Sequence, residues 1–321
     1  MLAASWPGPD FCVDSTGLMP LMPSNARQSA DDYLAPSLSQ WQQQGRYFDF
    51  HGRQVFWQTA GNPKNPVVLL IHGFPSASWD WRHQWQPLAE KYYVITADMP
   101  GFGFSDKSPA RDYSIKLQAD MFEALLSAQG ITHCHLVAHD YGDTVAQELL
   151  ARQTETPLLT LLSVQLLNGG LFPETHRPVL AQKLLISPLG FVFARFFTEK
   201  KLHKTFAHIC KQPLAMEELS GLWQLHCFNQ GSRVMHKLIR YMQERRRYRD
   251  RWVNALAHTL LPLQLINGAD DPISGKHMVH RYRELVTDKN IVSLAGVGHY
   301  PQLEASSAVT AAICSFLREH A

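Results

Sequence analysis

Asp140 lies between two small residues in the segment Ala138-His139-Asp140-Tyr141-Gly142, and the chain changes character on either side of it. An apolar run, His135–Ala138, precedes it and a helical pattern, Thr144–Arg152, follows. Where a buried strand turns sharply into a helix, the residues two before and two after the turning position must be small, because strand and helix crowd in there. A carboxylate at that turn faces the free N–H groups and the positive dipole end of the helix, which favour the anion. This is the small-x-nucleophile-x-small pattern with aspartate as nucleophile. An aspartate in front of a helix also serves as an ordinary N-cap, so the segment alone leaves both roles open.

Partners for a nucleophile follow in a telling order. Asn267-Gly-Ala-Asp-Asp-Pro272 comes after a strand signal and offers an acid, and Gly298-His299-Tyr-Pro-Gln-Leu-Glu304 comes after the last strand signal and offers a base. Of the two adjacent acids, the spacing Gly268-x-x-Asp271-Pro272 selects Asp271 and leaves Asp270 as a turn residue. Upstream, His72-Gly73-Phe74-Pro75 follows an apolar run. It can lend the Phe74 N–H to an oxyanion hole whose second donor is the N–H of Tyr141. The Gly-rich stretch Asp98–Asp106 reads as a tight loop beside the site and not as a phosphate loop, because no GK[ST] helix follows it.

These residues need elements to hold them. Tyr47–His51 and Gln54–Thr59 flank a turn at Gly52 and predict an antiparallel hairpin at the sheet edge. Val67–Ile71, Tyr92–Ala97, His135–Ala138 and Leu161–Leu167 are short apolar runs bounded by loop signals, as expected of strands buried on both faces. Helices are predicted between them, notably Ser114–Gln129, so the fold class is α/β with a mostly parallel sheet. From Gly170 to about His258 only helical periodicity remains, as in Leu180–Phe197 and Met216–Glu244. Strands resume at Leu261–Asn267 and Asn290–Leu294, and Ser306–His320 closes the chain as a helix. The expected organisation is a mobile leader over 1–40, a core over 41–170, a helical cap over 171–258, and the rest of the core over 259–321.

Bulk properties exclude several classes. The chain has 321 residues and is 45% hydrophobic, enough for a large core with an insertion, while a net charge of +2 does not point to nucleic acid. Charge is uneven: residues 168–258 carry a net of +9 against −7 elsewhere. Five scattered cysteines without CxxC spacing indicate neither a disulfide framework nor a zinc site and fit a cytoplasmic setting. No secretory signal and no uninterrupted apolar stretch of spanning length is seen.

Residues from about 46 to 318 resemble the epoxide hydrolase and haloalkane dehalogenase branch of the α/β-hydrolases. A narrower group within that branch is resembled in Gly101-Phe-Gly-Phe-Ser-Asp-Lys107, His139-Asp-Tyr-Gly-Asp143, Asn168-Gly-Gly-Leu-Phe-Pro-Glu-Thr-His-Arg-Pro178 and His299-Tyr-Pro-Gln-Leu-Glu304. The resemblance implies the α/β-hydrolase fold with a helical cap over the site, and brings no firm substrate with it. On this reading Asp140 attacks an electrophilic carbon to form an ester, and His299, oriented by Asp271, activates water to hydrolyse it. The Phe74 and Tyr141 N–H groups hold the oxyanion, and no metal or cofactor is required.

The leaving group separates the subclasses. The branch's dehalogenases solvate halide with a Trp directly after the nucleophile and a Trp or Asn in the oxyanion loop, where this chain has Tyr141 and Phe74. Its epoxide hydrolases protonate an alkoxide with cap tyrosines; Tyr241 resembles the second of these, but the chain reads Phe196-Phe197 and Phe206 where the first is sought. A structural role for Tyr241 stays open. Epoxide hydrolysis therefore leads, ester or lactone hydrolysis comes second, and a ligand-binding protein retaining the hydrolase fold comes third. The expected partner is a small-molecule or lipid-like substrate. The five arginines of Arg245–Arg251 read either as a solvated face or as a contact to anionic lipid surfaces.

Overall fold

The computed structural model describes residues 36–155, 157–287 and 289–320. Eight strands form one sheet: β1 (Arg46–Asp49), β2 (Gln54–Ala60), β3 (Val67–Ile71), β4 (Tyr93–Ala97), β5 (His133–His139), β6 (Thr160–Leu167), β7 (Leu263–Gly268) and β8 (Ile291–Leu294). Their order across the sheet is β1-β2-β4-β3-β5-β6-β7-β8. The β1–β2 and β2–β4 pairs are antiparallel and all others parallel. The hairpin turns where His51 and Gly52 take φ of 53° and 72°, a region glycine enters freely.

Fourteen α-helices are described. Ahead of and between the first six strands lie α1 (Pro36–Gln44), α2 (Arg82–Ala89), α3 (Ile115–Ala128) and α4 (Tyr141–Arg152). Ser114 caps α3 by accepting the N–H of Leu117. Between β6 and β7 only helices occur: α5 (Leu180–Ile186), α6 (Gly190–Arg195), α7 (Glu199–Ile209), α8 (Met216–Cys227), α9 (Met235–Leu238), α10 (Tyr241–Arg247) and α11 (Arg249–His258). The last part adds α12 (Lys276–Leu285), α13 (Pro301–Glu304) and α14 (Ser306–His320).

Strand side chains bury on both faces. Leu69 and Ile71 of β3 join one apolar core, with Leu136 of β5 and Leu265 of β7. Val68 and Leu70 join the other, with Val137 and Ile266. Burying a side chain of this size contributes about 1.5–3 kcal/mol, which is why uninterrupted apolar runs mark these strands. The carboxyl ends of β3, β4, β5, β6, β7 and β8 all reach one edge of the sheet, where loops are free to carry polar groups.

Three expectations need correction. The expected leader falls outside the described residues up to 35, but residues 36–40 already belong to α1, which is held by fully buried Leu38 and by Trp41 donating to Ser78 Oγ (3.2 Å). The helix predicted over Leu180–Phe197 is broken into α5 and α6 at Ser187-Pro188-Leu189, since proline lacks an N–H and clashes with the preceding turn. The run Met216–Glu244 is likewise broken, where Asn229 and Gln230 adopt left-handed φ of 50° and 57° inside a 3-10 turn. No helix among the described residues is long and apolar enough to cross a membrane.

Candidate active site

Asp140 ends β5 and precedes α4 with φ 47° and ψ −104°, a strained conformation for a residue with a Cβ. Gly142 is obligatory beside it, because a Cβ there would come within 2.7 Å of the carbonyl oxygens of Ile71 and His72. The Asp140 side chain makes no capping bond to α4. Its Oδ2 accepts the N–H of Phe74 (3.1 Å), and its Oδ1 is left facing His299 Nε2 at 4.0 Å. The side chain is nearly buried, and burial without a capping role is what an N-cap does not explain.

His299 lies two residues beyond Val297 in the loop after β8. Its Nδ1 bonds Asp271 Oδ2 (2.8 Å), and its own backbone N–H donates to Ile209 of the cap (2.9 Å). His139 Nε2 bonds the His299 carbonyl (2.8 Å), and burial holds His139 down at about 4, hence neutral. Burial works against charge on His299 too, but the carboxylates of Asp271, Asp140 and Glu304 overcome it and raise the imidazole to about 9. Asp271 is desolvated yet lowered to about 2, by His299 and by hydrogen bonds from Asn168 Nδ2 (2.9 Å), Ser274 Oγ (2.8 Å) and the Ile273 N–H (2.7 Å). Asp270 instead turns outward to the Gly296 N–H and Lys276.

The oxyanion loop is locked from several sides. His72 Nδ1 bonds the Gly73 carbonyl (2.8 Å) while its Nε2 accepts the Met99 N–H (3.0 Å), and Tyr300 donates to the Phe74 carbonyl (3.2 Å). Asp98 pins the Gly-rich loop by accepting the N–H groups of Ser78 (2.7 Å) and Phe104 (2.6 Å), so that loop is a brace beside the site. Tyr141 opens α4, where its N–H has no intrahelical acceptor. Its ring packs on Phe102 and Tyr241 at centroid distances of 5.2 and 4.9 Å.

Tyr241, on α10, is fully buried with its ring 6.1 Å from that of Phe74 and its hydroxyl neighboured by the Arg245 guanidinium. Burial first, and the Asp140 charge second, push the phenol well above its usual value, so it is held neutral. Tyr248, the other tyrosine of the cap, lies against Trp252 and Lys116, away from this cluster. Phe206 packs on Tyr300 at 5.0 Å, and Phe197 lines the cavity at His299.

Several groups at the site were not foreseen. Arg245 is buried, donating to the Asp140 carbonyl (2.9 Å) and to Thr144 Oγ1 (2.7 Å), with its guanidinium 4.4 Å above the Tyr241 ring. Its Nη2 also lies 3.8 Å from Asp140 Oδ1. Asn168, at φ 47° after β6, clamps Asp271 and accepts the Gly268 N–H (2.7 Å). Its sequence signals were its position after a central strand and its place at the head of the segment Asn168–Pro178 that carries the resemblance. Asp143 is fully buried, and desolvation and then Asp140 hold its carboxyl well above the usual range. The Arg245–Arg251 run is therefore no uniform solvated face: Arg249 pairs with Glu174 (2.6 Å), and Arg251 with Glu148 (2.8 Å) and Glu155 (2.5 Å).

A small inner cavity of about 30 Å³ touches Phe74, Phe197, Met235 and His299. It shares Val179, Ala181, Leu185, Phe197 and Thr205 with an outer cavity of about 360 Å³ between α5, α6 and α7. The inner space holds little more than a water.

The family described as alpha/beta hydrolase fold matches residues 66–306. The narrower group resembled is that of the mesoderm-specific transcript proteins: the chain is 39% identical over 288 residues to the homologue from Bos taurus, covering 84% of this chain and 85% of that protein. Epoxide hydrolase 3 of Xenopus tropicalis is 33% identical over 106 residues, covering 32% of this chain and 29% of that protein. A solved alpha/beta hydrolase fold protein from Burkholderia ambifaria superposes with a TM-score of 0.70 at 22% identity, covering 84% of this chain and 97% of that one.

Proposed function

This chain belongs to the alpha/beta hydrolase family and is a hydrolase of that family, and we propose that it opens an electrophilic substrate, an epoxide first of all, through a covalent ester on Asp140. The observation that carries the reading is the position of Asp140. One oxygen is held by the Phe74 N–H, the other is unclaimed by the helix and faces His299 Nε2 at 4.0 Å, and no cap bond accounts for the residue.

In the first step Oδ1 attacks a ring carbon, the carbon–oxygen bond breaks, and Tyr241 transfers its phenolic proton to the departing alkoxide. That transfer suits a buried phenol held neutral at rest, with the Arg245 guanidinium beside it to steady the phenolate that forms. Alkylation removes the Asp140 charge, one of the carboxylates that keep His299 protonated. The imidazole then gives its proton to solvent more readily, to be regained when Asp140 is freed, and stands neutral when a base is needed. His299 then takes a proton from water, which attacks the ester carbonyl, while the Phe74 and Tyr141 N–H groups hold the oxyanion; as the ester C–O bond breaks, the imidazolium gives that proton to the departing alkoxide, releasing the diol, and Asp140, freed as the acid, loses its proton to solvent. Solvent returns the proton to Tyr241.

Ester or lactone hydrolysis is the second reading, favoured by one observation: of the two tyrosines between β6 and β7 Tyr241 alone joins the cluster around Tyr141 and Phe74, while Phe197 lines the cavity at His299 and Phe206 packs on Tyr300. The test is to incubate wild type and His299→Gln with panels of epoxides, haloalkanes and esters and to weigh the intact protein. A mass increase by one substrate equivalent, mapped to Asp140, supports the reading. Turnover without any adduct in His299→Gln would replace it with direct attack by water.

A further inference from the structure

We propose that the cap edge made by α5, α6 and the start of α7 docks on a phospholipid bilayer bearing anionic headgroups, so that the outer cavity opens against the lipid. Five large apolar side chains lie exposed within this one stretch: Leu180 at 71%, Leu189 at 58%, Phe191 at 51%, Phe193 at 39% and Phe196 at 64%. They make up half of the ten exposed large hydrophobics among the described residues. Single exposed apolar residues are ordinary, but a cluster of this density marks an interaction surface.

The charge around the cluster selects the occupant. Residues 175–215 contain seven lysines and arginines against one acid, Glu199. Lys183, Arg195, Lys200, Lys201 and Lys204 are all exposed. An apolar patch with a cationic rim matches an acyl boundary under anionic headgroups, where each basic residue near the surface adds attraction. A second copy fits worse, because a two-fold contact through this edge would set like charges against each other. The Arg245–Arg251 run does not serve this purpose, with Arg245 buried and Arg249 and Arg251 engaged by carboxylates.

The patch is also a mouth. Leu180 and Phe193 line the outer cavity together with Lys201 and Lys204, and that cavity adjoins the inner one at His299, the two sharing lining residues. The deeper consequence rests on the reading of Asp140 and His299 as catalytic: an apolar substrate enters from the bilayer without crossing water. The docking itself does not depend on that reading.

The test is co-sedimentation of the full chain with phosphatidylcholine vesicles, with and without about 30% phosphatidylglycerol. Binding to the anionic vesicles is expected at least tenfold above the neutral ones and should weaken as salt is raised. Phe191→Ser with Phe196→Ser should lower it at least tenfold with an unchanged circular dichroism spectrum and melting curve, and so should Lys200→Glu with Lys201→Glu. Arg246→Glu with Arg247→Glu, on the exposed remainder of the arginine run, should retain it. Equal binding to both vesicle types, no binding to either, or equal loss in the Arg246/Arg247 variant overturns the proposal. So does a light-scattering dimer that dissociates in the Phe191/Phe196 variant, which would assign the edge to a second copy. Because no turnover is read, loss of catalysis in Asp140→Asn leaves this result untouched.

Discussion

The guanidinium of Arg245 reaches from the cap to the backbone of Asp140, donating to its carbonyl at 2.9 Å while standing 3.8 Å from its Oδ1. The cap is thus fastened to the candidate nucleophile itself and not only to the rim of the core. A positive charge there also offsets the desolvation of two neighbouring carboxyl groups, Asp140 and Asp143.

Replacing that arginine tests the fastening. Arg245→Met should destabilise the protein by about 3 kcal/mol or more, the scale for stripping one partner from a buried charged cluster. Arg245→Lys should recover part of this, keeping the charge but losing the fork that spans Asp140 and Thr144. Urea unfolding followed by circular dichroism measures both, and a methionine variant within experimental error of wild type would refute the role.

Asp140→Asn should lose all measurable turnover while melting at or near the wild-type temperature. The side chain caps nothing, and asparagine tolerates the left-handed φ that this turn imposes. A drop of more than about 5 °C, roughly 3 kcal/mol for a chain of this size, would make Asp140 a stability element instead.

In His299→Gln the first half-reaction should proceed and the second stall, since glutamine keeps the volume but takes no proton from water. Intact-mass spectrometry during incubation with a turned-over substrate should show the adduct accumulate to near one equivalent. In wild type the same adduct should be transient.

Stability should depend on pH through His299 and Asp271. His299 is raised in the folded state to about 9 from 6.5, so its contribution is fully present below about pH 6.5 and fades as pH rises through about 9. Asp271 is lowered to about 2, so its share is present above the ordinary carboxylate value and fades as pH falls through about 2. Asp271→Asn should flatten the alkaline loss. Urea midpoints at pH 7 and 10 compare the two proteins, and an unchanged alkaline slope in the variant would rule out the coupling.

Tyr241→Phe separates the two candidate chemistries. An epoxide leaves as a strongly basic alkoxide, so loss of the proton donor should slow alkylation of Asp140 by about 10²–10⁴-fold. An activated ester leaves as a stable anion and should react at close to the wild-type rate. Single-turnover rates on both substrates in one preparation control for damage to the cap, and equal losses would leave Tyr241 a packing residue between Phe74 and Tyr141.

How far the sequence reached depended on whether a residue's position follows from its own strand. Asp140, Asp271 and His299 each stand just past the end of a strand whose apolar run is visible in the one-dimensional pattern, and a parallel sheet brings such ends to one edge whatever the details of packing. The choice of Asp271 over Asp270 was legible from spacing for the same reason, and Gly142 because a sharp turn admits no Cβ there. The cap obeys no such rule. In a run of five arginines nothing local tells Arg245, which enters the site, from Arg251, which pairs with Glu148 and Glu155, because the difference is which side of α10 and α11 meets the core. Pro188 was in plain view, yet apolar periodicity continues on both sides of it, and only the packing of α5 and α6 decides that Leu180, Phe191 and Phe193 face outward. Local sequence determined the sheet and the polar groups at its edge through strand burial and turn sterics. Which cap side chains meet those groups, and which face outward beside the cavity mouth, was decided by long-range contacts that have no period in the chain.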